Sequence, residues 1–388
     1  MRSSRARFAS CCLVLAAGLV SGVACAAPGV PADSVDHGYA PSPNVTVIGR
    51  FRDAEPSGIV VLPDGRLLLS FPASAQAHSG PVLAVWRDGV LTPFPDAATQ
   101  RALRSPLGVT LDGRGRVWVV DEGWVAGSDA PHAPMLVGIS PGMGKEGEGR
   151  VFARFALTAP VTRPDSHVND VRVDLTHGSA GTAFLSDTSL AGHPALIAVD
   201  LASGRARRLL ADHPSVSPDK GFAIELDGQM AQYSATRPVM GQGGVNGIAL
   251  SADSSRLYWS PQSSRRLYSA PTAVLADPAA TAQAVRAAVR DEGETASSDG
   301  LLAAPDGGLY ITDEERHGIL YRDSQGRLQM IAHDPRMIAP DSMALDGNSL
   351  LATIGQWPRL PVFHDGRDLQ ERPYLLIRIA LPAGLRHS

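Results

Sequence analysis

The chain repeats itself, and a repeat restricts the fold more than any single motif does. Six segments share one pattern: a small or polar residue, usually a glycine next, an apolar run, a tight turn and a second apolar run. The first runs from Ser57-Gly58-Ile59 through the turn Pro63-Asp64-Gly65 to Leu67–Phe71. The second runs from Leu107-Gly108-Val109 through Asp112–Gly115 to Val117–Asp121. The others open at Asn169-Asp170-Val171, Asn246-Gly247-Ile248, Asp299-Gly300-Leu301 and Asp341-Ser342-Met343. Asp-Gly turns between apolar runs predict antiparallel hairpins. Third strands are expected at Val82–Trp86, Ala195–Val199 and Gly318–Tyr321. The spacing between units runs from 42 residues (Asp299 to Asp341) to 77 (Asn169 to Asn246).

Four-stranded units of this length are propeller blades. The reading is therefore an all-β, six-bladed β-propeller in one domain, spanning residues 44–382. A leader occupies residues 1–26, an extension residues 27–43 and a tail residues 383–388. A ring must close, and Asn44–Phe51 with Tyr374–Leu381 are expected to share one blade. Insertions are expected around Thr176–Gly181 and Ser215–Gly244. Little helix is expected; Thr281–Arg290 is the best candidate, with one turn at Pro271–Leu275. Two formal motif matches lack their context. Gly138–Gly142 fits G-x-S-x-G, but Pro141 leaves no helix behind the serine. Gly142–Gly147 fits G-x-G-x-x-G with no βαβ unit around it.

The leader has the three parts of a secretory signal. Arg2, Arg5 and Arg7 precede the apolar run Cys11–Val20, and Ala24-Cys25-Ala26 forms an A-x-A cleavage site. The expectation is export to the periplasm or the extracellular medium; the alternative is a lipoprotein anchored at Cys25. All three cysteines, Cys11, Cys12 and Cys25, fall in this leader. The exported part would then carry no disulfide, zinc thiolate or cysteine nucleophile. The formal net charge of −4 points away from nucleic acid and anionic membranes. A small-molecule partner and a monomer are expected.

The stretch from Gly247-Ile248-Ala249-Leu250-Ser251 through Leu257-Tyr258-Trp259 to Leu267–Leu275 resembles the major royal jelly / yellow protein family. Asn169–Asp174 and Ala339–Leu345 resemble it as well. The resemblance covers nearly all of the chain after the leader and implies a secreted six-bladed propeller. The missing cysteines depart from the disulfide-bearing insect members. A more distant similarity runs to the gluconolactonase / senescence-marker family, also six-bladed. Its members hold a divalent cation with a Glu, an Asn and an Asp at the inner-strand starts, where a second Asn helps hold substrate.

The repeat places Ser57, Leu107, Asn169, Asn246, Asp299 and Asp341 at equivalent points beside the channel mouth. Asn169, Asn246, Asp299 and Asp341 make an oxygen-only donor set, which suits a hard divalent cation such as Ca²⁺. Asn169, Asn246 and Asp299 match the lactonase positions. The lactonase Glu has no clean match: Ser57 or Pro56 falls there, Glu55 is one or two residues out of register, and Asp341 would supply the charge. Asp299 or Asp341 is the candidate general base. Substrate contacts are assigned to Asn169, His167, Ser57 and Trp357. Asn, Asp and Ser are also ordinary turn formers at strand entries. His167 is read as a proton shuttle or a loop histidine, and Trp357 as a stacking lid or a packed aromatic. Asp121–Trp124 and Asp313–His317 are expected to form solvated turns on one rim, with a pocket-lining Trp124 as the alternative for that residue. Three functions remain open: a metal-dependent lactone hydrolase, a non-catalytic amine-type binder and a dopachrome-type tautomerase.

Overall fold

The computed structural model describes residues 40–128, 132–142, 149–189, 192–226, 243–364 and 366–386, and the backbone of 229–230. The expected leader at residues 1–26 lies outside them, as do most of the extension, much of the insertion before Asn246 and most of Gly142–Gly147.

Six four-stranded antiparallel sheets form a ring, a six-bladed β-propeller. Blade 1 consists of Ile59–Val61, Leu67–Ser70, Leu83–Arg87 and Val90–Pro93; blade 2 of Pro106–Leu111, Val117–Asp121, Met135–Pro141 and Gly149–Ala156. Blade 3 runs Val168–Asp174, Thr182–Asp187, Ala195–Asp200 and Ala206–Leu209. Blade 4 runs Val245–Leu250, Arg256–Pro261, Arg266–Pro271 and Arg290–Glu294. Blade 5 runs Leu301–Ala303, Leu309–Asp313, Gly318–Arg322 and Leu328–His333. Blade 6 takes three strands from the end of the chain, Ala339–Asp346, Ser349–Gly355 and Tyr374–Ala380. Its outermost strand, Val45–Phe51, comes from the beginning. Val45 lies opposite Ile379 and Phe51 opposite Tyr374, so the ring closes within one sheet, as the two terminal segments predict.

The hydrophobic core is divided among the seams between blades. Val60, Leu68 and Val85 pack on Val109, Val119 and Val137 between blades 1 and 2. Trp118 and Leu136 meet Val171, Leu185 and Ile197 between blades 2 and 3. Phe184 and Leu196 meet Ile248 and Trp259 in the next seam. Blades 4 and 5, 5 and 6, and 6 and 1 are joined by Ala249 with Leu301, Tyr310 with Ile354, and Leu351 with Ile59. A large side chain buried as fully as Trp118 or Trp259 contributes about 2 to 3 kcal/mol. The seams thus supply the stability that disulfides would otherwise give.

The glycine of the repeat has a steric cause. A Cβ on Gly58 would lie 2.6 Å from the carbonyl oxygen of Leu107, the equivalent strand of the next blade. On Gly300 it would overlap the carbonyl oxygen of Asp341. Gly108 and Gly247 face Asn169 and Asp299 in the same way. A second-strand hydroxyl completes the junction. Ser70 Oγ accepts the Gly58 N–H at 2.7 Å and donates to Leu107 O at 2.5 Å. Thr353 Oγ1 donates to Ser57 O at 2.5 Å across the closing seam. Neighbouring innermost strands therefore approach closely, and their first residues crowd around the channel mouth.

The expected helices are present, the longer one shortened to Ala282–Ala287 and the single turn shifted by one residue to Thr272–Ala276. A further helix, Ala97–Ala102, is capped by Asp96, which accepts the N–H groups of Ala98 and Thr99. Ser140 lies inside the strand Met135–Pro141 and not at a strand-to-helix elbow. Among the described residues no helix is long and apolar enough to cross a membrane.

Candidate functional site

A cavity of about 500 Å³ opens at the channel mouth, and every residue assigned from sequence lines it: Ser57, His167, Asn169, Asn246, Asp299, Asp341 and Trp357. Blades 1, 3, 4, 5 and 6 each supply one strand-start residue. Leu107 fills the place in blade 2.

The acidic side is tightly bonded. Ser57 Oγ donates to Asp341 Oδ2 at 2.6 Å. The Asn246 amide donates to Asp299 Oδ1, and Gln262 Nε2 approaches the same oxygen at 3.4 Å. The Asn169 side chain has no hydrogen-bond partner among the described residues, so its amide is available to whatever enters.

Three further carboxyls belong to this region. Glu55 reaches the mouth because Gly355 has no side chain; a Cβ there would overlap the Glu55 carboxylate. Its carboxylate accepts the backbone N–H groups of Gln356 and Trp357. Glu314 follows the second strand of blade 5 and is fully buried. Trp357 Nε1 donates to Glu314 Oε1 at 3.1 Å, while Glu314 Oε2 is buried without a donor. Glu122 holds the equivalent place in blade 2. It accepts Ser105 Oγ at 2.9 Å and faces His167 Nδ1 at 2.7 Å.

These positions correct one expectation. Asp121–Trp124 and Asp313–His317 are not simply solvated turns, because Asp121, Glu122, Asp313 and Glu314 are buried; Trp124 lines the cavity, the alternative considered for it. Trp357 is a packed aromatic that also reaches the cavity. It begins the 3-10 turn Trp357–Arg359, packs edge-on against Phe363 at 5.8 Å, and forms cavity wall.

Like charges crowded away from water resist ionisation. Burial, opposed by the two backbone bonds and reinforced by Asp341, pushes Glu55 up to about 7. Burial raises Glu314 to about 8, against the Trp357 bond and with the Asp341 charge. Asp341 rises to about 6, held down in part by Ser57. Asp299 rises well above the usual range through burial and then through Glu314, Asp341, Glu55 and Asp170. Burial works against a charged His167 ring, but the facing Glu122 outweighs it and lifts the imidazole above its ordinary value.

Among the described residues, no three His, Cys, Asp or Glu side chains are grouped to hold a metal ion on their own. A cation here would need amide oxygens as well. Asn169 without a partner, the orphaned Glu314 oxygen and the mutually repelling carboxyls fit a hard divalent cation.

The family model described as major royal jelly protein matches residues 104–358. No curated protein sequence matches. Solved structures resemble the fold at low identity. A gluconolactonase from Xanthomonas campestris is 15% identical with a TM-score of 0.51, covering 87% of this chain and 89% of its own. A luciferin-regenerating enzyme is 12% identical with a TM-score of 0.54, covering 90% and 98%. The calcium-binding protein regucalcin from Agrobacterium tumefaciens is 12% identical with a TM-score of 0.50, covering 87% and 95%.

Proposed function

The chain belongs to the major royal jelly protein family, and we propose that it is an exported, divalent-cation-dependent lactone hydrolase working at the channel mouth. The observation that carries this reading is the arrival of Glu55 beside Asp341 and Asp299. In this reading it would supply the first-blade carboxylate of the gluconolactonase pattern, which the sequence register withholds. Glu55, Asn246 and Asp299 would hold the cation, calcium by preference, with Asn169 and Asp341 at its margin. A resemblance to a gluconolactonase and a calcium-binding protein in fold is consistent with this reading.

A divalent cation, when bound, polarises a lactone carbonyl. The remaining chemistry falls to the chain. Asp341, ionised above about pH 6 and oriented by Ser57, takes a proton from the attacking water. Asn169 and His167 offer hydrogen bonds to the hydroxyls of the substrate. Trp124, Trp357, Leu360 and Phe363 form an apolar vestibule that receives the carbon face of the ring and excludes bulk water.

A second reading, amine binding without turnover, draws on the same contrast of aromatic walls over carboxylates, which also suits an organic cation. The His167–Glu122 pair would equally serve a tautomerase. Hydrolysis of D-glucono-1,5-lactone, followed by pH-stat with calcium and then with EDTA, separates these readings. The hydrolase reading expects turnover that EDTA abolishes and calcium restores. No turnover at saturating calcium would reject it in favour of the metal-free readings.

A further inference from the structure

Blade 3 places charge below the mouth where the other five blades place none. At the second position of the inner strand, four blades carry glycine: Gly58, Gly108, Gly247 and Gly300. Blade 6 carries the small, uncharged Ser342 there, and blade 3 carries Asp170. Two residues further along, the other blades present Val60, Thr110, Ala249, Leu302 and Ala344, and blade 3 presents Arg172. The two exceptions pair: Arg172 Nη1 lies 2.7 Å from Asp170 Oδ1 and donates to Val171 O at 2.6 Å. Arg172 Nη2 reaches Leu301 O of blade 5 at 2.8 Å. Blades 3 and 5 are not neighbours in the ring, so the guanidinium bridges the channel past blade 4. Asp170 is fixed from the far side too, where Oδ2 receives the Ile248 N–H of blade 4 at 3.4 Å.

Leu301 lies two residues below Asp299, about 7 Å along a strand. Arg172 therefore brings a fixed positive charge under the carboxyls, at a level where the other blades present only uncharged side chains. The Asp170 charge acts in the opposite sense, as it contributes to holding Asp299 and Asp341 protonated.

We infer that Arg172 is the pocket's built-in countercharge: paired with Asp170, it floors the channel mouth and sets how strongly the carboxyls above it hold a divalent cation. The inference rests on the cation site proposed above and concerns the positioning of charge, not contact with substrate. Asp170 and Arg172 form a matched pair, so the two single substitutions must shift calcium affinity in opposite directions.

The test is titration calorimetry of calcium chloride into the full-length chain. Arg172→Met leaves Asp170 unpaired and is expected to tighten calcium binding at least tenfold or to add a second equivalent. Asp170→Asn leaves Arg172 unpaired and is expected to weaken binding at least tenfold. The Asp170→Asn/Arg172→Met double variant is expected to return to the wild-type value. Should Arg172→Met fail to fold, Asp170→Asn and the double variant still decide the matter through their difference. If the wild type takes no calcium but Arg172→Met does, the countercharge stands and the cation-dependent hydrolase falls. Variants that titrate like the wild type, or are all silent, overturn the inference.

Discussion

Ser57 and Asp341 meet across the seam where the first and last blades close, with the serine hydroxyl 2.6 Å from the carboxylate. One contact thus joins the closure of the ring to the acidic side of the pocket. The hydroxyl favours the charged form of Asp341, while burial and the nearby Asp170 oppose it. Ser57→Ala is expected to raise the Asp341 pKa above about 6 and to weaken calcium binding about tenfold, the loss of one hydrogen bond to a charged group. Calorimetry at pH 6 and pH 8 checks this, with the larger deficit expected at pH 6.

Asp299 sits where four other carboxyls repel it. Asp299→Asn is expected to stabilise the calcium-free protein, by on the order of 1 kcal/mol, because it removes a carboxyl whose ionisation the pocket resists and the unfolded chain permits. The same change is expected to abolish the stabilisation that calcium gives. Thermal unfolding with and without calcium measures both effects. A calcium-free variant less stable than the wild type would argue that Asp299 is held mainly by its bond from Asn246.

The pH dependence has a definite sign. Glu55 and Glu314 hold their protons in the native state to about 7 and 8, whereas the ordinary value for a glutamate is 4.5. Between these values the folded protein binds more protons than the unfolded chain. Stability without calcium must therefore fall as pH rises from about 5 to 8, by up to about 1.4 kcal/mol per pH unit for each proton retained. Saturating calcium is expected to flatten that slope, since the cation replaces the protons. Urea unfolding at pH 5, 6, 7 and 8 provides the curve, and a rise in stability over that range would refute the assignment.

The blade junctions give a test of the fold independent of the site. Gly300→Ala forces a methyl group into the Asp341 carbonyl oxygen and is expected to cost about 3 kcal/mol or prevent folding. Gly65→Ala is the control. Gly65 has nothing within 4 Å of an added Cβ, although its φ of +82° imposes a cost of about 1 kcal/mol. Comparable losses at the two sites would contradict the close approach of neighbouring strands.

The ring was legible because its cause is local. Most blades place a small residue after their first strand position, where the next inner strand comes close, and Gly58, Gly108, Gly247 and Gly300 record that demand in the sequence. The same register identified Ser57, Asn169, Asn246, Asp299 and Asp341 together, since equivalent points in a closed repeat converge. What the register could not show was reach. Glu55 enters from outside it, over a glycine in the last blade, a contact between residues three hundred positions apart in the chain. Glu122 and Glu314 follow second strands and look like turn residues; their burial depends on loops such as Trp357–Arg359 folding back over them. A signal was nevertheless present: the pair Asp-Glu recurs at the same point of blades 2 and 5. Arg172 broke the apolar pattern of its strand position just as visibly.

Calcium titration calorimetry with elemental analysis, on the wild type and on Asp299→Ala, tests the central claim most directly. The account predicts one divalent ion per wild-type chain, bound with release of protons at pH 7, and none in the folded variant. A folded wild type that takes up no divalent cation, or a variant that binds as the wild type does, would contradict it.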